Sequence, residues 1–141
     1  DVSGMTVLEN LYVDGTNLLA LDVANNTALK RLHIGIGTSI STIDLTNNTA
    51  LELLDASNGA LTGTLDLSAN INLTSISVQN NLGLNVIDLG SSINLNTLTL
   101  IATGIGASAT IKVGSSARIT LANSLFTVGN GSISTGTTFI V

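Results

Sequence analysis

Aspartate recurs at Asp22, Asp44, Asp66 and Asp88, three successive intervals of 22 residues. Each sits inside an apolar pair: Leu21 and Val23, Ile43 and Leu45, Leu65 and Leu67, Ile87 and Leu89. Residues 21–32, LDVANNTALKRL, and 43–54, IDLTNNTALELL, agree at seven of twelve positions. Such a period constrains the fold more than composition does. It marks a unit that buries its apolar face only by stacking on copies of itself. Seven residues after each aspartate a leucine opens an LxxLxV pattern: Leu29-Leu32-Ile34, Leu51-Leu54-Ala56, Leu73-Ile76-Val78 and Leu95-Leu98-Leu100. Leu8-Leu11-Val13 supplies the same pattern one coil earlier, and DVSGMTVLENL (1–11) aligns with DVANNTALKRL (22–32) at an offset of 21. The chain therefore opens inside a repeat, which reads as a solenoid cut from a longer array or as a mature end made by proteolysis.

Within each coil, LxxLxV and LDV alternate apolar and polar residues, the signature of strands with one face inward. The turns between them are rich in Asn, Gly, Ser and Thr. Asn26, Asn48 and Asn70, followed by Ser92, form a column whose amides are suited to bonding the backbone of adjacent coils. Aromatics make up only 2% of the chain and cysteine is absent, so the core is aliphatic and holds no disulfide. A net charge of −5 with four basic residues argues against nucleic acid or an anionic membrane surface as partner. No apolar run approaches the roughly 20 residues of a membrane-spanning helix.

These motifs resemble the leucine-rich repeat family, most closely a bacterial type with repeats of roughly 21–22 residues written LDxSxNTxLxxLxV. That type occurs in surface and secreted proteins of internalin-like and Bacteroidetes-like kinds. LDVANNTALKRLHI (21–34), IDLTNNTALELLDA (43–56) and LDLSANINLTSISV (65–78) carry the resemblance, which covers about residues 1–113. The family's usual turn asparagine is present only as Asn81; Thr16, Gly37, Gly59 and Thr103 stand in its place elsewhere, so those coils close by a variant turn. The resemblance implies recognition or adhesion rather than catalysis. The expected fold is mainly β: a leucine-rich-repeat-like, right-handed β-solenoid of about five coils over residues 1–113. After Lys112 the register fails. Residues 114–141 hold the β-like runs ARITLA, SLFTV and TTFIV and a hairpin-like Gly129-Asn130-Gly131, and read as a C-terminal β cap or a contact with a neighbouring chain.

Alternation points the column Asp1, Asp22, Asp44, Asp66 and Asp88 outward. Stacked like charges oppose each other, so something must compensate. The preferred reading is that each carboxylate accepts backbone N–H bonds from its own following turn. The alternative is a cation row along Asp22, Asp44, Asp66 and Asp88, since calcium favours carboxylate oxygens. This strand offers one carboxylate per coil where calcium wants several. Lys112 stands where a further aspartate would fall and ends the column with a positive charge.

Six of the other charges, Glu9, Asp14, Lys30, Arg31, Glu52 and Asp55, lie on or beside the first strand of the first three coils. Its outward positions form three columns: Glu9, Lys30, Glu52, Thr74, Asn96; then Asn10, Arg31, Leu53, Ser75, Thr97; then Tyr12, His33, Asp55, Ser77, Thr99. Glu9, Tyr12, Lys30, Arg31, His33, Glu52 and Asp55 make the candidate binding face, with a solvated charge ladder as the plainer alternative. No enzyme is expected. His33 is alone, and its column places Asp55 between it and Ser77, the wrong order for a Ser-His-Asp relay. Glu52 and Asp55 lack the cleft and aromatic platform of a glycosidase. The glycine triplets at 35–37 and 104–106 lack the helix of a phosphate loop. No cofactor is expected.

The chain reads as a non-enzymatic recognition or adhesion module at the cell surface or secreted, meeting a protein or glycan. Another class of reading is a self-assembling structural subunit of a fibre, filament or virion. After Asp66 the only charges are Asp88, Lys112 and Arg118, which suits burial against identical neighbours. Ice binding by Ser75–Thr97 and Ser77–Thr99 is a weaker third reading, because two coils make too small an array.

Overall fold

The computed structural model describes residues 1–90 and four strands beyond them, Thr99–Ile101, Thr110–Lys112, Phe126–Thr127 and Thr138–Ile140. In chain order the strands are β1 (Asn10–Tyr12), β2 (Arg31–His33), β3 (Leu53–Asp55), β4 (Thr62–Asp66), β5 (Ser75–Ser77), β6 (Gly83–Asp88), β7 (Thr99–Ile101), β8 (Thr110–Lys112), β9 (Phe126–Thr127) and β10 (Thr138–Ile140). They form two parallel sheets, β1-β2-β3-β5-β7-β9 and β10-β8-β6-β4. Parallel neighbours need a long crossover. Here the crossover is the other side of the coil, so the chain winds as a β-solenoid of about four turns, one fewer than expected, with no helix among the described residues.

The two sheets enclose aliphatic files one residue deep. Leu32, Leu54 and Ile76 are fully buried and in register across β2, β3 and β5. Leu29, Leu51 and Leu73 stack behind them, and Val23, Leu45, Leu67 and Leu89 line the opposite wall. In the first coil Val2, Leu8, Leu11, Val13, Leu18 and Leu21 are only half-buried, having a neighbouring coil on one side alone. Of these, Val2, Val13, Leu18 and Leu21 line, with Asp1 and Asp22, a concavity of about 570 Å3.

Buried asparagines fix the coil spacing. The Asn48 carboxamide donates to the carbonyls of Val23 (3.0 Å) and Asn26 (2.8 Å), and that of Asn70 to Leu45 (3.0 Å) and Asn48 (2.9 Å). Asn26 donates likewise to Val2 and Met5. Asn81 works in the other turn: its amide nitrogen donates to the Ala56 and Val78 carbonyls, and its oxygen accepts from Leu61 N–H. That explains one variant turn. A Cβ on Gly59 would stand 3.1 Å from the Asn81 amide oxygen, so the coil below leaves the space empty. Gly35 is constrained more tightly, since a Cβ there would collide with the Ser57 backbone.

Each column aspartate accepts the backbone N–H two residues on: Ser3 for Asp1, Ala24 for Asp22, Thr46 for Asp44, Ser68 for Asp66 and Gly90 for Asp88, at 2.8–3.0 Å. The Thr46 hydroxyl also donates to Asp44 (2.6 Å). The Thr46 hydroxyl and N–H hold the Asp44 carboxyl below the ordinary aspartate range, and Ser68 does the same for Asp66. Asp66 and Asp88 are in register, and Lys112, in register with Asp88, places its ammonium 3.7 Å from that carboxylate.

Two expectations need correction. The LDV stretches of the first two coils, residues 21–23 and 43–45, form no strand; the segments just before them make isolated inter-coil bonds, Ser39 N–H to Leu18 and Thr62 N–H to Ser41, and the second sheet begins only at β4. The first strand of the fifth coil is also two residues later than expected. β7 pairs Ser75 with Thr99, Ile76 with Leu100 and Ser77 with Ile101, an interval of 24 residues that matches Asp88 to Lys112. Thr99 therefore stands in register with Ser75 rather than Ser77, which breaks the expected Ser77–Thr99 pair, and Ser75 is taken by Thr99. A two-residue slip keeps the in–out alternation in phase, whereas a one-residue slip would invert it. Most of the cap expected at 114–141, with its Gly129-Asn130-Gly131 hairpin, lies outside the described residues. Its strands β9 and β10 extend the two sheets by pairing with β7 and β8.

Leu54→Ala should cost about 2–5 kcal/mol in urea unfolding, because neither neighbouring coil can collapse into the void. Asn48→Ala should cost about 1–3 kcal/mol by stranding two buried carbonyls. A carboxylate held low in the fold contributes stability above its unfolded value, about 3.9, and loses it as pH falls through the folded value. The melting temperature should therefore fall on acidification below about pH 4, and less steeply in the Asp44→Asn, Asp66→Asn double variant. An unchanged acid slope in that variant would remove the aspartate turns as its cause. A chelator should leave the melting temperature unchanged; a large drop would point instead to a cation row on the aspartates.

Candidate recognition face

Alternation along β1, β2 and β3 turns Leu11, Leu32 and Leu54 into the core and the residues on either side outward. Parallel pairing then brings Tyr12, His33 and Asp55 into one row, and Asn10, Arg31 and Leu53 into the next. Glu9, Lys30 and Glu52 precede these strands by one residue and form a third row.

The rows interact. The Tyr12 and His33 rings stack, with centroids 4.4 Å apart and planes inclined by 24°, and Tyr12 remains 60% exposed. His33 Nδ1 stands 3.8 Å from an Asp55 carboxylate oxygen, an ion pair whenever the imidazole is protonated. The other Asp55 oxygen accepts the Ser57 N–H at 2.9 Å, which fixes the carboxylate in place. Lys30 donates to Glu9 at 2.8 Å; this hydrogen bond and the Glu9 charge raise the ammonium above the ordinary lysine range. The pair is exposed and contributes little to stability. Asp14, beside the face, accepts the Gly35 N–H at 2.8 Å and so serves the turn.

Arg31 and Glu52 are different. Both are exposed, and neither makes a hydrogen bond or ion pair through its side chain. Leu53, in register with Arg31 and next to Glu52 in the chain, is a half-buried aliphatic side chain on a polar face. Sequence reasoning placed Leu53 in its column but not in the site, although a leucine at an outward strand position was the available signal. One coil on, the face is neutral: Thr74 donates to the Glu52 carbonyl (3.2 Å), and the Ser57 and Ser77 hydroxyls share a hydrogen bond of 2.6 Å.

Along the register His33 is followed by Asp55 and then Ser77, so the carboxylate separates imidazole from hydroxyl. Among the described residues no three His, Asp or Glu side chains converge as metal ligands, and no helix is long and apolar enough to cross a membrane.

No protein-family model matches the chain, and no curated protein sequence does. Among solved structures, the functional domain of InlJ from Listeria monocytogenes, which includes a cysteine ladder, is similar at 26% identity with a TM-score of 0.53. The match covers 74% of this chain and 27% of that one, so this chain spans about a quarter of the length of its structural neighbour. No cysteine occurs here, and the ladder through the described coils is made of asparagine amides. The chain is a β-solenoid with an internalin-type leucine-rich repeat protein as structural neighbour.

Proposed function

We propose that the chain is a non-enzymatic recognition or adhesion module working outside the cell, and that the outward face of β1, β2 and β3 meets a protein or glycan. The observation that carries this reading is the stacked Tyr12–His33 pair, set beside Asp55 and the uncommitted Arg31 on a rigid sheet. The core beneath β2 and β3 is complete without the Tyr12, His33 and Arg31 side chains. Tyr and Arg are also the residues most enriched at binding hot spots, where few residues supply most of the affinity. The likeness to the functional domain of InlJ and the internalin-like repeat pattern support a surface setting. Glu9, Lys30 and Glu52 form the polar rim, where the Glu9–Lys30 pair and the nearby Glu52 charge maintain solubility and orientation.

The test begins with a partner captured on protein and glycan arrays. Arg31→Ala and Tyr12→Ala should then each weaken binding by more than about 1 kcal/mol, with circular dichroism unchanged. If both variants bind like the parent, the face has been placed wrongly.

A further inference from the structure

Among the described residues, every side-chain carboxylate except one accepts a hydrogen bond or pairs with a cation, and every lysine or arginine except one pairs with a carboxylate. The two exceptions are Glu52 and Arg31. They stand on adjacent coils of the same face, on either side of Leu53, and do not bond each other. The remaining acidic groups of this face are already engaged: Glu9 with Lys30, Asp55 with Ser57 and His33, and Asp14 with Gly35.

We infer that this face pairs with the same face of a second copy, Arg31 of each copy reaching Glu52 of the other around the two Leu53 side chains. The inference rests on the reading of this face as a binding surface and names its partner. Charge complementarity selects the second copy. The occupant must offer a carboxylate to Arg31 and a cation to Glu52 at matching separation, with something apolar between. A two-fold contact sets one patch against itself with the order reversed, so each copy supplies all three groups. A polyacidic partner is repelled by the net charge of −5, and a polybasic one leaves Arg31 opposed by like charge. Repulsion between two acidic copies is long-ranged and falls away at roughly 0.15 M salt, where the screening length is about 8 Å, while the contact pairs survive. Three short strands give a small patch, so the association is weak and reversible.

Sedimentation equilibrium of the full chain at about 0.15 M salt tests this directly, with the parent, Arg31→Glu, Glu52→Arg and an equimolar mixture of the two variants. The parent should show a monomer–dimer equilibrium. Each variant alone should dimerise at least about tenfold more weakly, because the reversal sets like charges face to face. The mixture should regain dimer, because one variant then carries two anions and the other two cations. A monomeric parent, single variants that dimerise like the parent, or a mixture that stays monomeric would each overturn the inference. If a reversal variant fails to fold, Arg31→Gln and Glu52→Gln replace it, and each must still weaken the dimer. A monomeric parent that captures an array partner through Arg31 and Tyr12 sinks the self-pairing and leaves the recognition reading standing. A dimer disrupted at these two residues, with no partner captured, supports the self-pairing and removes the separate partner.

Discussion

The solenoid depends on the side-chain amide of asparagine reaching one coil back. A turn that joins two strands without a helix leaves carbonyls facing the next coil with no ladder partner, and buried carbonyls need donors. A primary amide has two N–H groups in fixed geometry, and Asn48 and Asn70 each spend both on two carbonyls of the preceding coil. This bond needs the same residue at the same point of successive coils, so it enforces the 22-residue period as firmly as the leucines do. It carries a cost. The amide oxygens of Asn26, Asn48 and Asn70 are buried without a partner. Each turn therefore satisfies two acceptors and strands one.

Once the pitch is set, the core follows with little further specification. Among the described buried residues the inward hydrophobic positions carry Leu, Ile, Val or Ala, and these aliphatic side chains stack from coil to coil. The same regularity explains why close approaches are solved by subtraction. Gly35 yields to the Ser57 backbone and Gly59, at one variant turn, to the Asn81 amide, so at both points a neighbouring coil already fills the space.

The period, the inward files and the asparagine column were legible in the sequence because each is written several times over. The fifth-coil register was not. Leu98 and Leu100 have the same parity, so alternation accepts either, and only the pairing of Ile76 with Leu100 decides. The ladder-free LDV stretches of the first coils were equally hidden, since their apolar pattern matches the coils that do form strands. At the candidate site, the columns that hold Tyr12, His33 and Asp55 follow from the register of β1, β2 and β3. What the columns could not supply was who bonds whom. That Lys30 is taken by Glu9 while Arg31 and Glu52 are left without partners depends on side-chain reach across the sheet, which a one-dimensional pattern does not encode.

The difference between coils then separates what the fold needs from what it carries. Coil four repeats the inward residues of coils two and three, with Leu73, Ile76 and Val78 where Leu29, Leu32, Ile34 and Leu51, Leu54, Ala56 stand, and it is buried as completely. Its outward residues are Thr74, Ser75 and Ser77; the Thr74 and Ser77 hydroxyls bond to the neighbouring coil. A neutral hydroxyl face thus suffices for a stable coil. The ring stack, the exposed arginine and the outward leucine on the earlier coils add nothing that coil four lacks in burial or backbone pairing. Of the thirteen charged residues, six lie on or beside these first strands; Asp14 and Asp55 accept turn N–H groups, while the Glu9, Lys30, Arg31 and Glu52 side chains make no bond to the backbone. Surface chemistry that the core does not require is free to vary for binding, since the solenoid holds such side chains rigid without depending on them.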